Sequence, residues 1–326
     1  MSEPHIENNR QFPLKSEINL TASSGKFAWF DQGFTWLVYG LAFAMVALLF
    51  WISWIIFENA LPAIRQFGLG FLWSQEWNVA DLQFGALPFI FGTLVSSALA
   101  MLIAVPVGLA VALITSEDIL PASVRSPIAF MVELIAAIPS VIIGLWGIFV
   151  LIPFLQPIQQ WLYDHFAWIP LFSTPPVGYG MSSAGVILAI MILPTMAAIS
   201  REVLLAVPKE LRSGSMSLGA TRWETIFGVL LPAGISGIVG AAILALGRAL
   251  GETMAVTMVI GNTAQISPSL LDVAYTIPSV LANEFGEALD GLHVGALMYL
   301  ALILFLVTLL VNMASVALVK FISRHN

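Results

Sequence analysis

The chain has no cysteine, which excludes disulfides, thiol catalysis and thiolate metal sites. Charge is scarce: Asp, Glu, Lys and Arg make up 10% of the 326 residues against 59% hydrophobic ones, and the mean hydropathy is +0.94. No ordinary soluble domain approaches that balance. The phosphate-loop pattern G-x-x-x-x-G-K-[ST] is also missing, because the one Gly-Lys pair, Gly25-Lys26, lacks the earlier glycine. The chain therefore cannot hydrolyse ATP by the usual motif. Basic residues are outnumbered 12 to 19 by acidic ones, and the net charge of −7 gives no reason to expect nucleic-acid binding. The first apolar stretch is too long for a secretory signal and has no small-residue cleavage site, so it is expected to stay in the mature protein.

What is present is a series of long apolar runs. A hydrocarbon layer of about 30 Å needs about 20 apolar residues in a helix. Six stretches qualify: 34–57, 84–115, 127–154, 183–205, 228–260 and 292–321. The expected fold is an all-α integral membrane protein with six transmembrane helices in a bilayer, both ends on one side. Ten basic residues (Arg10, Lys15, Lys26, Arg125, Arg201, Lys209, Arg212, Arg222, Lys320, Arg324) occupy alternate loops or the span ends beside them. The opposite loops hold only Arg65, and this bias places both termini in the cytoplasm. Residues 1–33 read as a cytoplasmic tail, 34–321 as the transmembrane domain, and 206–227 as a cytoplasmic loop within it. The outer loop 156–182, with Trp161, Trp168, Pro175 and Pro176, reads as an interfacial cap or as a docking surface for an external protein.

Pro106, Pro139, Pro194 and Pro232 fall inside or at the entry of spans, where each removes a backbone donor. Gly234, Gly237, Gly240, Gly247 and Gly251 mark a helix that packs closely on another.

The loop 201–225 divides into two short helix-compatible pieces around Leu218-Gly219-Ala220. Gly219, nine residues and then Val229-Leu230-Leu231-Pro232 resembles the second half of the EAA loop of ABC-importer permeases. The sequence departs from that family at the Glu-Ala-Ala positions, which are Ser213-Gly214-Ser215, and at Val229 in place of isoleucine. Val207-Pro208, the run 218–226 and the run 247–256 (Gly-Arg-Ala-Leu-Gly-Glu-Thr-Met-Ala-Val) resemble permeases of phosphate-specific ABC importers. Phe91-Gly92-Thr93-Leu94 and Ala137-Ile138-Pro139-Ser140 fit as well. Ile260-Gly261-Asn262-Thr263 and the run 279–285 favour the PstC type over its paralogue PstA.

The resemblance implies a type I ABC-importer permease core in the bacterial inner membrane, importing inorganic phosphate by alternating access. It implies a PstA-type second permease subunit, two ATPase subunits that use ATP and Mg, and an extracytoplasmic phosphate-binding protein. The chain itself would bind no cofactor or metal and do no chemistry. Coupling to the ATPase would fall to Glu210, Arg212, Ser213, Gly219, Ala220, Thr221, Arg222 and Glu224.

Arg248 and Glu252 lie four residues apart in the fifth stretch, where an ionised side chain costs roughly 2.5–3.5 kcal/mol or more. On one helix they would share a face and pair. A structural ion pair that makes two charges tolerable is one reading. The other is a switch in which Arg248 leaves Glu252 for passing phosphate, since a guanidinium forms charge-assisted bonds to phosphate oxygens. Glu133 is expected at the cytoplasmic mouth. Thr253 and Thr257 are minor pathway candidates whose hydroxyls also suit the preceding helical turn.

Three rival readings remain. Gly234-Ile235-Ser236-Gly237 with His293 imitates an intramembrane serine protease, but opposite entry sides put the two more than about 15 Å apart in depth. An ion-coupled secondary transporter and a permease for another oxyanion complete the set.

Overall fold

The computed structural model describes residues 28–322 except 118. The chain divides into two compact units, Met1–Trp54 and Ile55–Asn326. The described residues form α1 (Ala28–Phe67), α2 (Leu87–Ser116), α3 (Ala122–Ala137), α4 (Ser140–Trp146), α5 (Ile152–Phe166) and α6 (Met181–Ala206). They continue as α7 (Lys209–Ser217), α8 (Arg222–Thr225), α9 (Leu231–Gly251), α10 (Met254–Val259), α11 (Ile277–Glu284) and α12 (Gly291–Ile322). Short 3-10 turns at Gly68–Leu72 and Pro170–Phe172, π turns and isolated β-bridges accompany them among the described residues.

Among the described residues, six helical segments are long and apolar enough to cross a membrane: Gln32–Leu72, Leu87–Ser116, Ser140–Phe166, Met181–Ala206, Arg222–Gly251 and Gly291–Ala317. Their number matches the six apolar stretches, but the first runs on past its expected end at residue 57 to Leu72, and two others are placed differently. The expected third stretch, 127–154, is cut at Ile138-Pro139, where ψ is 128° and 140°. A residue before proline is pushed out of the α region, so α3 ends at Ala137 and a new helix begins at Ser140. The span therefore runs 140–166 and absorbs the first part of the expected outer cap. The expected fifth stretch, 228–260, starts earlier and stops at Gly251, because Glu252 is extended at ψ 126°. Of the expected tail, residues 1–27 lie outside the described residues, and 28–33 already belong to α1. Arg10, Lys15, Lys26 and Arg324 also lie outside them.

Among the described residues, two helical turns are widened to π geometry, Gly147–Leu151 and Ile226–Leu230. Each stands just before a proline, Pro153 and Pro232. A proline ring collides with the carbonyl four residues back and offers it no donor, and a wider turn relieves both problems. Pro106 and Pro194 are carried inside α2 and α6 without a break.

In the unit Met1–Trp54, residues 28–54 are a helix whose large apolar side chains, such as Trp36, Phe43 and Phe50, are exposed. A helix apolar all round is what a lipid environment accommodates. In the unit Ile55–Asn326, α2 and α6 pack along their length through small residues, with Gly108 against Met196 and Gly185 against Leu99. Gly234 and Gly237 of α9 pack on Val203 of α6. The close packing expected of the α9 glycines thus holds for its first half, while Gly240, Gly247 and Gly251 face open space. A second core gathers Phe71, Phe84, Phe89, Tyr275, Leu297 and Leu300. Burial pushes the Tyr275 phenol up to about 12, so it stays protonated while its oxygen accepts from Asn283 Nδ2 at 3.0 Å.

Candidate functional site

The break at Glu252 changes how the intramembrane charges relate. Arg248 sits in the last turn of α9, and its exposed side chain shares an open face with Leu244 and Gly251. Glu252 lies past the helix end, and its Oε1 accepts from the backbone N–H of Ala255 in the first turn of α10 at 3.5 Å. No ion pair joins Arg248 to Glu252 among the described residues. The expectation of two charges on one helix face is therefore corrected. Instead, the cation stands at the C-terminal end of one helix and the anion at the N-terminal end of the next, so each complements a different macrodipole. Thr253 Oγ1 donates to Gly251 O at 3.2 Å and Thr257 Oγ1 to Thr253 O at 2.7 Å. Both hydroxyls are thus turned to nearby backbone carbonyls.

Glu133, exposed on α3, lines a cavity of about 30 Å³ together with Thr115, Val132, Ala197, Ala198 and Arg201. Its opposite charge across that cavity is Arg201 of α6, whose Nε is buried with no hydrogen-bond partner. The two are not within ion-pair distance among the described residues. Sequence reading counted Arg201 only as a loop cation. Its position four residues after Ala197 on the α6 face toward α3 becomes visible only in the fold.

The loop between α6 and α9 is the helix–turn–helix expected. Gly219 has φ +91°, its N–H bonds Met216 O at 3.0 Å, and the Ala220 N–H bonds Ser215 O at 3.3 Å. These two bonds form a Schellman motif, which closes α7 and suits glycine. Thr221 and Glu224 form a capping box that opens α8, with Glu224 Oε2 accepting from the Thr221 N–H at 2.7 Å. Glu210 and Ser213 are exposed on α7. Ser213 Oγ donates to Lys209 O, and Ser215 and Thr225 hydroxyls meet at 3.0 Å between α7 and α8. Arg222 lies exposed at the start of α8. Leu218 at the turn is 91% exposed, flanked by exposed Leu211, Met216 and Trp223, an apolar surface of the kind that marks a protein contact.

Because an L side chain in the left-handed region costs about 1–2 kcal/mol, Gly219→Val should loosen this turn. Limited trypsin digestion should then cut faster at Lys209 and Arg222, whereas Gly219→Asn, which tolerates that region, should cut at close to the original rate.

Arg212 behaves differently from its neighbours on the loop. Its guanidinium turns inward to Glu117, the C-cap residue of α2, and to two carbonyls at the end of α6. Glu117 escaped sequence reading, although an acid directly past an apolar stretch on the basic side was a usable signal. His293 bonds Glu284 Oε2 through Nε2 at 3.1 Å and stacks on Phe84. That commits the ring to the start of α12, with no contact to Ser236, so no protease dyad forms.

Six helices long and apolar enough to cross a membrane, among the described residues, define a multi-pass membrane protein, and a charged side chain such as Arg248 within such a span marks a functional site by default. The chain belongs to the family of binding-protein-dependent transport system inner membrane components, which it matches over residues 104–325. It is a permease subunit of a multi-subunit transporter, not an enzyme.

Its relatives narrow this further. The phosphate transport system permease protein PstC of Mesorhizobium japonicum is 44% identical over 295 residues, covering 89% of this chain and 90% of that protein. PstC of Pasteurella multocida is 44% identical over 289 residues, covering 87% of each. The probable PstC of Methanocaldococcus jannaschii is 38% identical over 279 residues, covering 82% and 87%. Among solved structures, a bacterial alginate ABC transporter chain shares the fold at TM-score 0.58 and 14% identity, covering 89% of this chain and 96% of that one. A chain of the MetNI methionine ABC transporter does so at TM-score 0.53 and 20% identity, covering 73% and 94%.

Proposed function

We propose that the chain is one of two permease subunits of an ATP-driven importer of inorganic phosphate in the bacterial inner membrane. A PstA-type subunit completes the pathway, two ATPase subunits bind the cytoplasmic face and supply ATP and Mg chemistry, and an extracytoplasmic phosphate-binding protein delivers the substrate. Both termini are cytoplasmic in this reading. The observation that carries it is the exposed Arg248 guanidinium, with glycines beside it and no hydrogen-bond or ion-pair partner among the described residues, in a protein whose relatives are named as phosphate permeases.

A guanidinium offers a planar fork of donors that matches phosphate oxygens, and an apolar wall offers none. Glu252, one residue beyond the end of α9, repels a second anion and keeps phosphate from being trapped. Thr253 and Thr257 border the same stretch, and Glu133 lies at the mouth with Arg201. The exposed apolar tip around Leu218, with Glu210, Ser213, Ala220, Thr221, Arg222 and Glu224 about it, suits a groove on the ATPase. The ATPase can drive the cycle only if it binds this loop differently in its two states.

Reconstitution tests the reading. Proteoliposomes holding the complete complex should take up labelled phosphate only with internal ATP and external binding protein, and excess sulfate should not compete. Uptake driven by an ion gradient through this chain alone would overturn the importer reading, and competition by sulfate would favour a broader oxyanion permease.

A further inference from the structure

We propose that Arg212 is a positioning residue that makes α7 a lever on the α2–α6 pair, with Glu117 as its anchor. The proposal rests on the reading of 206–227 as the loop on which the ATPase acts. The covalent path from α6 to α7 is weak, for Val207 and Pro208 are extended, at ψ 128° and 134°. Two extended residues between helices form a hinge that transmits little torque.

Arg212 closes that hinge from the side. Its Nε and Nη2 donate to Glu117 Oε1 at 3.1 and 2.9 Å, its Nη2 to Leu204 O at 2.6 Å and its Nη1 to Val207 O at 2.8 Å. Glu117 ends α2, and its own N–H bonds Leu113 O at 3.0 Å, so the carboxylate is fixed to that helix. Leu204 belongs to the last turn of α6, where carbonyls lack helical partners and a cation is favoured.

Both side chains are mostly shielded, at 18% and 16% exposure, so this pair is better protected from screening than a surface ion pair. One planar fork therefore binds the ends of two helices at once, and a lysine could not reproduce the arrangement. Toward α9 the loop is continuous chain, reinforced by the Ser215–Thr225 hydroxyl contact. Toward α2 and α6 the reinforcement is Arg212. Because α2 and α6 pack along their length, a displacement of α7 carries both.

The test measures phosphate uptake and binding-protein-stimulated ATP hydrolysis together, in proteoliposomes containing the full complex. The variants are Arg212→Gln, Arg212→Lys, Glu117→Gln and the double variant Arg212→Gln/Glu117→Gln. The expected result is that the ATPase co-purifies and hydrolysis persists, while phosphate delivered per ATP falls at least about fivefold in each glutamine variant, the lower end of typical coupling effects. The double variant should fall no further than either single one, because both remove the same link. Arg212→Lys, which keeps the charge and loses the fork, should lie between.

An unchanged ratio of uptake to hydrolysis in docked complexes overturns the proposal, as does a parallel loss of yield, hydrolysis and uptake, which marks a purely structural role. Failure of the ATPase to bind even the unaltered chain overturns the coupling-loop reading itself.

Discussion

Gly92→Ala is expected to leave little folded protein. A Cβ at this position would fall against the carbonyl oxygen of Tyr275, with the carbonyl carbon 2.9 Å away. Both atoms are backbone, so no flexible side chain can yield. Next door, the buried Thr93 hydroxyl oxygen accepts from the Ile277 N–H at 2.9 Å. The first turns of α2 are thereby fastened to the segment that leads into α11 and carries Tyr275 into the second core. Overpacking typically costs about 1–3 kcal/mol. Pulling Ile277 away from Thr93 would strand a buried donor for about 1–3 kcal/mol more. Set against a total stability of roughly 5–15 kcal/mol, the sum is large. Yield after detergent extraction and the thermal midpoint followed by size-exclusion chromatography are the measurements. Thr93→Val supplies the graded comparison, since it loses the two hydrogen bonds of the hydroxyl, from the Ile277 N–H and to Phe89 O, without adding a clash. A Gly92→Ala protein with the original midpoint would show that the α2–Tyr275 contact is not tight.

Arg248→Gln is expected to reduce phosphate uptake by about 100-fold without loss of assembly. Charge-assisted bonds contribute about 1.5–3 kcal/mol each, so losing a fork that holds phosphate by two of them removes about 3 kcal/mol or more, a factor of roughly 100 or greater. The same change should scarcely affect folding, because Arg248 makes no hydrogen bond or ion pair with described residues and its side chain is exposed. This contrast separates the residue from Gly92. Arg248→Lys keeps the charge but loses planar recognition, and should retain an intermediate rate. Uptake per assembled complex, with ATPase co-purification as the control, decides the matter. Uptake within twofold of the original for Arg248→Gln would remove Arg248 from the pathway.

The amino-acid sequence reveals the number of spans directly, because composition and apolar length are local properties that a bilayer reads as such. It also reveals the turn between α7 and α8, since Gly219 separates two short helix-compatible pieces, while the Schellman motif and the Thr221–Glu224 capping box that build the turn come from the structure. Two breaks were hidden. Ile138-Pro139 looked like one more tolerated proline, comparable with Pro106 and Pro194, and only packing decides which prolines a helix keeps. The end of α9 at Gly251 has no proline to announce it, so Arg248 and Glu252 seemed one turn apart on a single face. Long-range neighbours were hidden for a plainer reason. Glu117 and Arg212 are far apart in the chain, as are Glu133 and Arg201, and no local pattern connects them.

The widened turn at Ile226–Leu230 has a consequence for the azimuth of everything after it. A π turn takes in about one residue more than an α turn, and one residue corresponds to roughly 100° of rotation about the axis. A helical wheel drawn without interruption from Arg222 into α9 would therefore aim Arg248 roughly a quarter of a circle away from its actual bearing. Replacing Pro232 by alanine so that 226–230 returns to an α turn with no residue removed should rotate Arg248, Leu244 and the open glycines together off their present heading, whereas deleting one residue within 226–230 as well should bring them back to it. The angular setting of the charge in the bilayer is thus fixed at the foot of its helix, beside the loop on which the ATPase is proposed to act.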